Sequence, residues 1–256
     1  MGKHERERFM ENALLIGLSR QTALSRELDV IANNMANVTT NGFKARDARF
    51  REYLMPVAKA DAFQGPDQRL SYVIDAGTPL DLSSGAIEYT GNPLHAAIKG
   101  DAFFAVQTAA GERYTRNGSF EINAQGQLVT SDGHAVMGEN GPIAVGPQET
   151  DIRIAPDGAV LTSQGERGRI RLVRFNNPQA LQNEGANLFA SVEQPEPAGA
   201  TSRLEGGSIE RSNVQPMLEM SRMIDVNRAY TSIAGMMSRL DELRRTAISR
   251  LADSTA

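Results

Sequence analysis

Two stretches near the ends of the chain repeat apolar residues at the spacing of a helix, and the sequence between them does not. Over residues 12–38 a 3,4 repeat passes through Leu14, Gly17, Gln21, Leu24, Leu28, Ile31, Met35 and Val38, apolar at six of eight positions. Such spacing keeps one face of an α-helix apolar along its whole length, so the segment reads as a helix with a coiled-coil-like seam. Arg20, Arg26, Glu27 and Asp29 fall on the opposite face, and Thr39-Thr40-Asn41-Gly42 follows as a chain-reversal signal. A second seam, over 215–251, runs through Met223, Val226, Tyr230, Ile233, Met237, Leu240, Arg244, Ala247 and Leu251, apolar at eight of nine. Pro216 stands in its first turn, where a missing N–H is tolerated. At 1.5 Å per residue the two segments make rods of roughly 40 and 55 Å.

Between the seams the pattern shortens to alternating runs broken by glycine. Gly111, Gly118, Gly126, Gly133 and Gly141 fall at spacings of 7, 8, 7 and 8, and Asn117-Gly118, Asp132-Gly133 and Asn140-Gly141 are hairpin-turn pairs. The spacing predicts an antiparallel meander, with strands over 103–107, 113–115, 119–122, 127–130, 134–137, 152–154, 159–161 and 169–175. The stretches 56–78 and 195–201 read as irregular. The chain therefore divides into an extension, 1–9; an N-terminal helix, 10–44; an irregular linker, 45–78; a β-rich body, 79–206; and a C-terminal helix, 207–256. The expected fold is a mainly β body with long N- and C-terminal α-helices that pair as a coiled-coil-like bundle, an α+β arrangement, because each seam must hide from water somewhere. Local hairpins lead us to expect that the body, about 76–206, folds without either helix.

Composition narrows the function. Over 256 residues, 40 % are hydrophobic and 23 % charged, and Cys is absent, which excludes disulfides and thiolate chemistry. No apolar run approaches the roughly 20 residues needed to cross a bilayer, so no membrane insertion is expected. The opening Met1-Gly-Lys-His-Glu-Arg-Glu-Arg does not resemble a cleavable signal, because acids interrupt it and no apolar core follows. Residues 1–55 carry 9 basic and 7 acidic side chains and residues 210–256 carry 7 and 6, whereas 56–209 carry 11 and 18. No segment offers the basic stripe that nucleic acid requires. His4, His95 and His134 have no second ligand at metal spacing, and Asp101, Glu112, Asp132 and Asp157 sit in or beside turns. Nucleophile-elbow and phosphate-loop signatures are absent. We expect no catalytic residues, no cofactor, no metal and no small-molecule substrate.

What remains is assembly. A body of this size covers only part of two such rods, which leaves Leu14, Leu24, Leu28, Ile31, Met35 and Val38, with Met223, Val226, Tyr230, Ile233, Met237 and Leu240, to meet another chain. The competing reading is that the seams pack only on their own domain. Asn33, Asn34 and Asn37 either fix the register of neighbouring helices through their amides or supply cap and turn hydrogen bonds at a frayed end.

The run Leu28-Asp29-Val30-Ile31-Ala32-Asn33-Asn34-Met35-Ala36-Asn37-Val38-Thr39-Thr40-Asn41-Gly42-Phe43-Lys44 resembles the N-terminal signature of bacterial flagellar rod and hook proteins. Gly91-Asn92-Pro93-Leu94 with Gly100 to Val106, Tyr114-Thr115-Arg116-Asn117-Gly118-Ser119-Phe120, and Gly207-Ser208-Ile209-Glu210-Arg211-Ser212-Asn213-Val214 resemble its later signatures in order. Within the family, Leu15-Ile16-Gly17-Leu18-Ser19-Arg20-Gln21 is most similar to the proximal-rod members, with distal-rod or hook members as the alternative. Gly42, Phe43, Lys44, Asn213 and Val214 are the family-motif positions at the two helix feet. The resemblance implies a structural subunit of the basal-body rod, with terminal helices in the inner shell of an axial tube that carries torque from motor to hook. Its implied partners are itself, other rod proteins and the flagellar type III export apparatus, and its implied place is the periplasm, reached without a cleaved signal peptide. Outside this class, a periplasmic glycan hydrolase on a β scaffold would need a convergent carboxylate pair, and a ligand-binding module a deep apolar pocket.

Overall fold

The computed structural model describes the backbone of residues 3–54, 71–75, 78–185, 187–199 and 202–253, and their side chains except for 3–14, 50–54, 71–75, 247–248 and 250–253. It contains two long helices, α1 (Lys3–Ala36) and α2 (Pro216–Asp253), and short strands between them. In chain order the strands are β1 (Phe50–Leu54), β2 (Ser71–Asp75), β3 (Ile87–Tyr89), β4 (Ala96–Lys99), β5 (Phe103–Thr108), β6 (Gly111–Thr115), β7 (Phe120–Ile122), β8 (Leu128–Thr130), β9 (Ala135–Gly138) and β10 (Gly141–Pro142). They continue with β11 (Arg153–Ile154), β12 (Ala159–Thr162), β13 (Gly165–Arg169), β14 (Leu172–Arg174), β15 (Gln182–Asn183), β16 (Phe189–Ala190), β17 (Glu196–Pro197), β18 (Arg203–Gly206) and β19 (Ser208–Glu210). The described residues fall into two compact units, a helical one within 1–35, 46–79 and 216–256, and a β-body within 36–45 and 80–215.

In the helical unit, α1 and α2 touch in reversed order along their lengths. A Cβ on Gly17 would sit 3.2 Å from Met237 Cγ, Arg222 lies 3.8 Å from Glu27, and the Asn34 amide reaches Glu219 Oε1 at 3.4 Å. The helices therefore meet antiparallel. β1 and β2 pair antiparallel, Phe50 opposite Asp75, inside a stretch expected to be an irregular linker. The expectation rested on Pro56 and the glycines nearby; Phe50, Tyr53, Tyr72 and Val73 are strand formers that this reading passed over.

In the body, β5 is the central strand. It pairs β6 on one edge and β9 and β14 on the other, in a sheet ordered β15-β16-β6-β5-β9-β8-β7. Its continuous apolar run reflects burial on both faces. Phe104 and Val106 join a core with Ile98, Phe120, Leu128, Val136 and Val160, while Phe103 and Ala105 join Tyr114, Val173, Phe175 and Phe189. Edge-to-face aromatic pairs, Phe104 on Phe120 and Phe103 on Phe175 and Phe189, fill the two sides.

The strands between 103 and 162 lie within about a residue or two of their predicted places, but the topology is not a simple meander: β5 lies between β6 and β9, so β6 and β7 are not neighbours. The predicted strand 169–175 is two, β13 in a three-stranded sheet with β11 and β12, and β14 against β5. The break falls at Arg171, and the buried Ile170 and Val173 on either side of it made the stretch read as one strand. The boundaries at the helix feet also move. α1 ends at Ala36, so Val38 lies in the turn that follows: the Asn and Thr residues there favour local hydrogen bonds over helix, and Gly42 closes the turn at φ +68°. Residues 208–210 form β19, paired with β3, so the body extends past 206 and α2 begins only at Pro216.

Candidate functional site

The helices carry the first group of candidate residues. Ile31 and Val226 are buried, and Leu24, Leu28, Met35, Met223, Tyr230, Ile233, Met237 and Leu240 are half-buried. Leu14 lies in α1, but its side chain is outside the described residues. On the helices the most exposed large apolar side chains lie off the seams: Leu15 and Leu18 on α1, and Met217, Leu218, Met220, Ile224, Met236 and Leu243 on α2, with Met217 80 % exposed. An open groove of about 770 Å³ follows α1, lined among others by Leu18, Thr22, Ser25, Asp29, Asn33 and Tyr230.

Of the three asparagines, Asn34 is fully buried. Its Nδ2 donates to the Arg46 carbonyl (2.9 Å) and its Oδ1 accepts the Arg46 N–H (3.0 Å), so one side chain satisfies both backbone groups of a residue in the returning chain. The main partner of Asn34 is thus non-helical backbone of its own chain, and its contact with the other helix is the longer one to Glu219. Glu219, in the first turn of α2, takes the remaining amide hydrogen, and Arg222 ties that turn to Asp47 at 2.8 Å. Burial raises the Glu27 carboxyl above its ordinary range, with Arg222 opposing the shift. Asn33 is exposed, and Asn37 accepts the Thr40 N–H through its carbonyl in the turn at 3.2 Å.

In the body, the motif residues from both ends of the chain converge. Lys44 Nζ donates to Glu210 Oε1 and to the Ser83 carbonyl, each at 2.7 Å. Glu210 Oε1 also accepts the Gly85 N–H at 3.0 Å, and its backbone carbonyl takes the Gly42 N–H at 2.7 Å. Arg116 Nη1 lies 3.4 Å from Glu210 Oε2, and its Nη2 donates to the Gly100 carbonyl at 2.7 Å. Asn213 accepts the Ala45 N–H (2.7 Å) and donates to the Asp81 carbonyl (2.8 Å), while Phe43 and Val214 are buried beside this polar knot. Burial lowers the Lys44 ammonium from its ordinary value although Glu210 pulls the other way, and it lowers Arg116 likewise. Gly42, Phe43, Lys44, Asn213 and Val214 therefore share one region. The residues that sequence reading left out are Arg116 and Glu210, although both lie inside quoted motifs. Glu112 and Arg113 lie just before Arg116, and Arg211 directly follows Glu210, so no local charge pattern sets these two apart.

Other titratable groups hold structural posts. His95 contacts Thr90 (2.8 Å), Asn92 (3.1 Å) and Ser119 (3.3 Å), and burial lowers its imidazole from the ordinary value. Tyr114, packed on Phe175, is pushed up to about 12 by burial and by Glu112. Among the described residues no cluster of His, Asp or Glu has the arrangement of a metal site, and no helix is long and apolar enough to cross a membrane.

Comparison with known proteins matches three family models along the chain. They are the flagella basal body rod protein over residues 14–44, the flagellar hook protein FlgE/F/G D1 domain over 97–162, and the flagellar basal body rod FlgEFG protein C-terminal over 205–250. The flagellar basal-body rod protein FlgF of Caulobacter vibrioides is 39 % identical over 94 % of this chain and 98 % of its own. FlgF of Escherichia coli is 31 % identical over 91 % and 95 %, and FlgG of Bacillus subtilis 31 % over 91 % and 97 %. The three matched segments carry the helix seams and Lys44, Arg116 and Glu210.

Proposed function

The chain belongs to the flagellar basal-body rod protein family, most like FlgF, and from that premise we propose how its two helices build the rod. It is a structural subunit of the flagellar basal body and serves motility. In the assembled rod, α1 and α2 form a coiled-coil-like bundle in the inner shell, packed on the helices of neighbouring copies and of other rod subunits. The subunit reaches the periplasm through the flagellar type III export apparatus, and the polymer carries torque from motor to hook.

The observation that carries this reading is the apolar surface left over on the helices. The described seam residues are buried or half-buried within the chain, whereas Leu15, Leu18, Met217, Met220, Ile224, Met236 and Leu243 are each about half exposed or more. A stripe of this kind on a soluble chain is costly unless another apolar surface covers it. The assembly face is thus the off-seam side of each helix, and the seams hold the pair that presents it.

Charges placed on the two sides test this. Ile224→Asp is expected to leave the protein folded and to abolish rod formation and swimming, because a carboxylate would be buried at every subunit contact. Ile31→Asp and Ile233→Asp are expected to damage the helix pair itself as well as assembly. Rods and swimming that survive Ile224→Asp would overturn the reading.

A further inference from the structure

The polar knot of the body holds an unbalanced charge. Lys44 and Arg116 bring two cations against the one carboxylate of Glu210, and all three residues are 2 % exposed or less. The cations are also held by neutral groups, Lys44 by the Ser83 carbonyl and Arg116 by the Gly100 carbonyl and the face of Phe103, 5.1 Å away. Arg116 Nε, buried, has no partner. The other carboxylates bearing on the knot are Asp81 toward Lys44 and Asp101 toward Arg116, and both residues are exposed, so water screens them. Glu210 is therefore the anion on which burial of both cations depends.

The order of these residues along the chain gives that dependence a direction. Lys44 enters on the N-terminal leg, Arg116 follows β6, and Glu210 comes at the end of β19, 166 residues after Lys44 and 94 after Arg116. Before β19 docks, closing the core would press two like charges together out of water with no counter-ion, an arrangement that buried sites do not sustain. Docking β19 supplies the carboxylate, adds the ladder with β3, and satisfies the Gly42 and Gly85 N–H groups in one step.

We propose that Lys44, Arg116 and Glu210 form a charge lock that makes closure of the β-body conditional on docking of β19, so that the core completes only once the chain has supplied residue 210. The 76–206 segment, expected from the sequence to fold alone, keeps Arg116 and lacks its counter-ion. A body held open in this way stays unfolded while most of the chain is being made or moved, and closes late and all at once.

The lock orders the effects of substitution by charge. Glu210→Gln leaves two buried cations; Lys44→Met leaves one cation facing one anion; and the double variant restores the net charge of the natural knot. In the full-length chain, melting of the aromatic core is followed by near-UV circular dichroism. Glu210→Gln is expected to lower its Tm by about 10 °C or more, and Lys44→Met by less. Adding Lys44→Met to Glu210→Gln is expected to raise the Tm again, even from a variant that does not fold. Losses that add, with no rescue, would overturn the lock.

Proton linkage gives a second readout. Lys44 titrates lower in the folded state than in the unfolded one, and lower still without Glu210. The folded Glu210→Gln protein therefore releases its proton more readily, and its stability should climb as the pH rises toward about 9.5, below the ordinary lysine value. That window lies below the range in which ionisation of Tyr114, whose folded pKa is raised, begins to favour unfolding. Hydrogen exchange on the same full-length variant locates the effect. Loss of protection that spreads through β5 and β6 supports conditional closure, and loss confined to 42–45 and 207–213 overturns it.

Discussion

The tightest glycine sites of the two units differ in what they meet. In the body a Cβ on Gly118 would fall 1.7 Å from the Ala96 carbonyl oxygen, and one on Gly85 1.9 Å from that of Arg211. In the helical unit a Cβ on Gly17 would meet only the flexible end of Met237, and one on Gly235 would meet nothing within 4 Å. The body brings backbone against backbone at these sites and gathers most of its apolar side chains into two cores. The helices touch through side chains, retain space, and turn apolar residues outward. On the reading proposed above, the outward apolar residues of the helices await neighbours that a single chain does not supply.

The sharpest way to break this contrast is to add one methyl group to the body. Gly118→Ala forces a Cβ into the Ala96 carbonyl, a backbone atom that no rotamer change can move aside. It also disturbs the bond from the Ala96 N–H to the Gly118 carbonyl, 3.0 Å long. The expected loss is about 3 kcal/mol or more, read by thermal unfolding of the body. A change below about 1 kcal/mol would mean that this close approach relaxes freely and that the body is less rigid than its contacts suggest.

Next in size is the polar hinge of the helical unit. Asn34→Ala removes both side-chain bonds to the Arg46 backbone, leaving a partly buried N–H and carbonyl without them, and should cost about 1–2 kcal/mol. The loss should appear as faster hydrogen exchange at Arg46 and Asp47 and in the first turn of α2, with the body unaffected. Exchange that accelerates equally across β5 and β6 would show that the two units unfold as one, and would erase the distinction drawn above.

How much of this was legible in the sequence follows from range. Features set by nearest neighbours were read well: the seam periodicity gave both helices, and the Gly-containing turns gave β5 to β9 and β12 close to their places. Features set by distant partners were not. Nothing local to Ser208-Ile209-Glu210 says strand; it becomes one because Ile87, Glu88 and Tyr89 lie opposite it. Val38 fits the seam but leaves the helix because the turn around Asn37 and Gly42 wins. Lys44 and Asn213 were singled out through family motifs, whereas Arg116 and Glu210, which explain why those motifs carry charge, needed the fold to bring them together. The proposed assembly face differs from the seams for a related reason: a seam announces what a helix buries first, and here part of that covering comes from its own chain.

The smallest effect tests the unfinished side of the comparison. Gly235 sits in the middle of α2, where glycine costs about 1 kcal/mol of helix stability relative to alanine. In the free chain nothing stands in the way of a methyl group there, so Gly235→Ala should lengthen the protected stretch of α2 and raise helicity by circular dichroism. The gain should be close to the intrinsic propensity difference, because no contact is made or broken. Lower helicity, or weaker protection over 230–240, would show that another part of the chain already approaches Gly235 closely and that this face is not vacant. A gain of the expected size accompanied by slower rod assembly would place a neighbouring helix against Gly235 in the polymer, since only a surface absent from the free chain could then object to the added methyl.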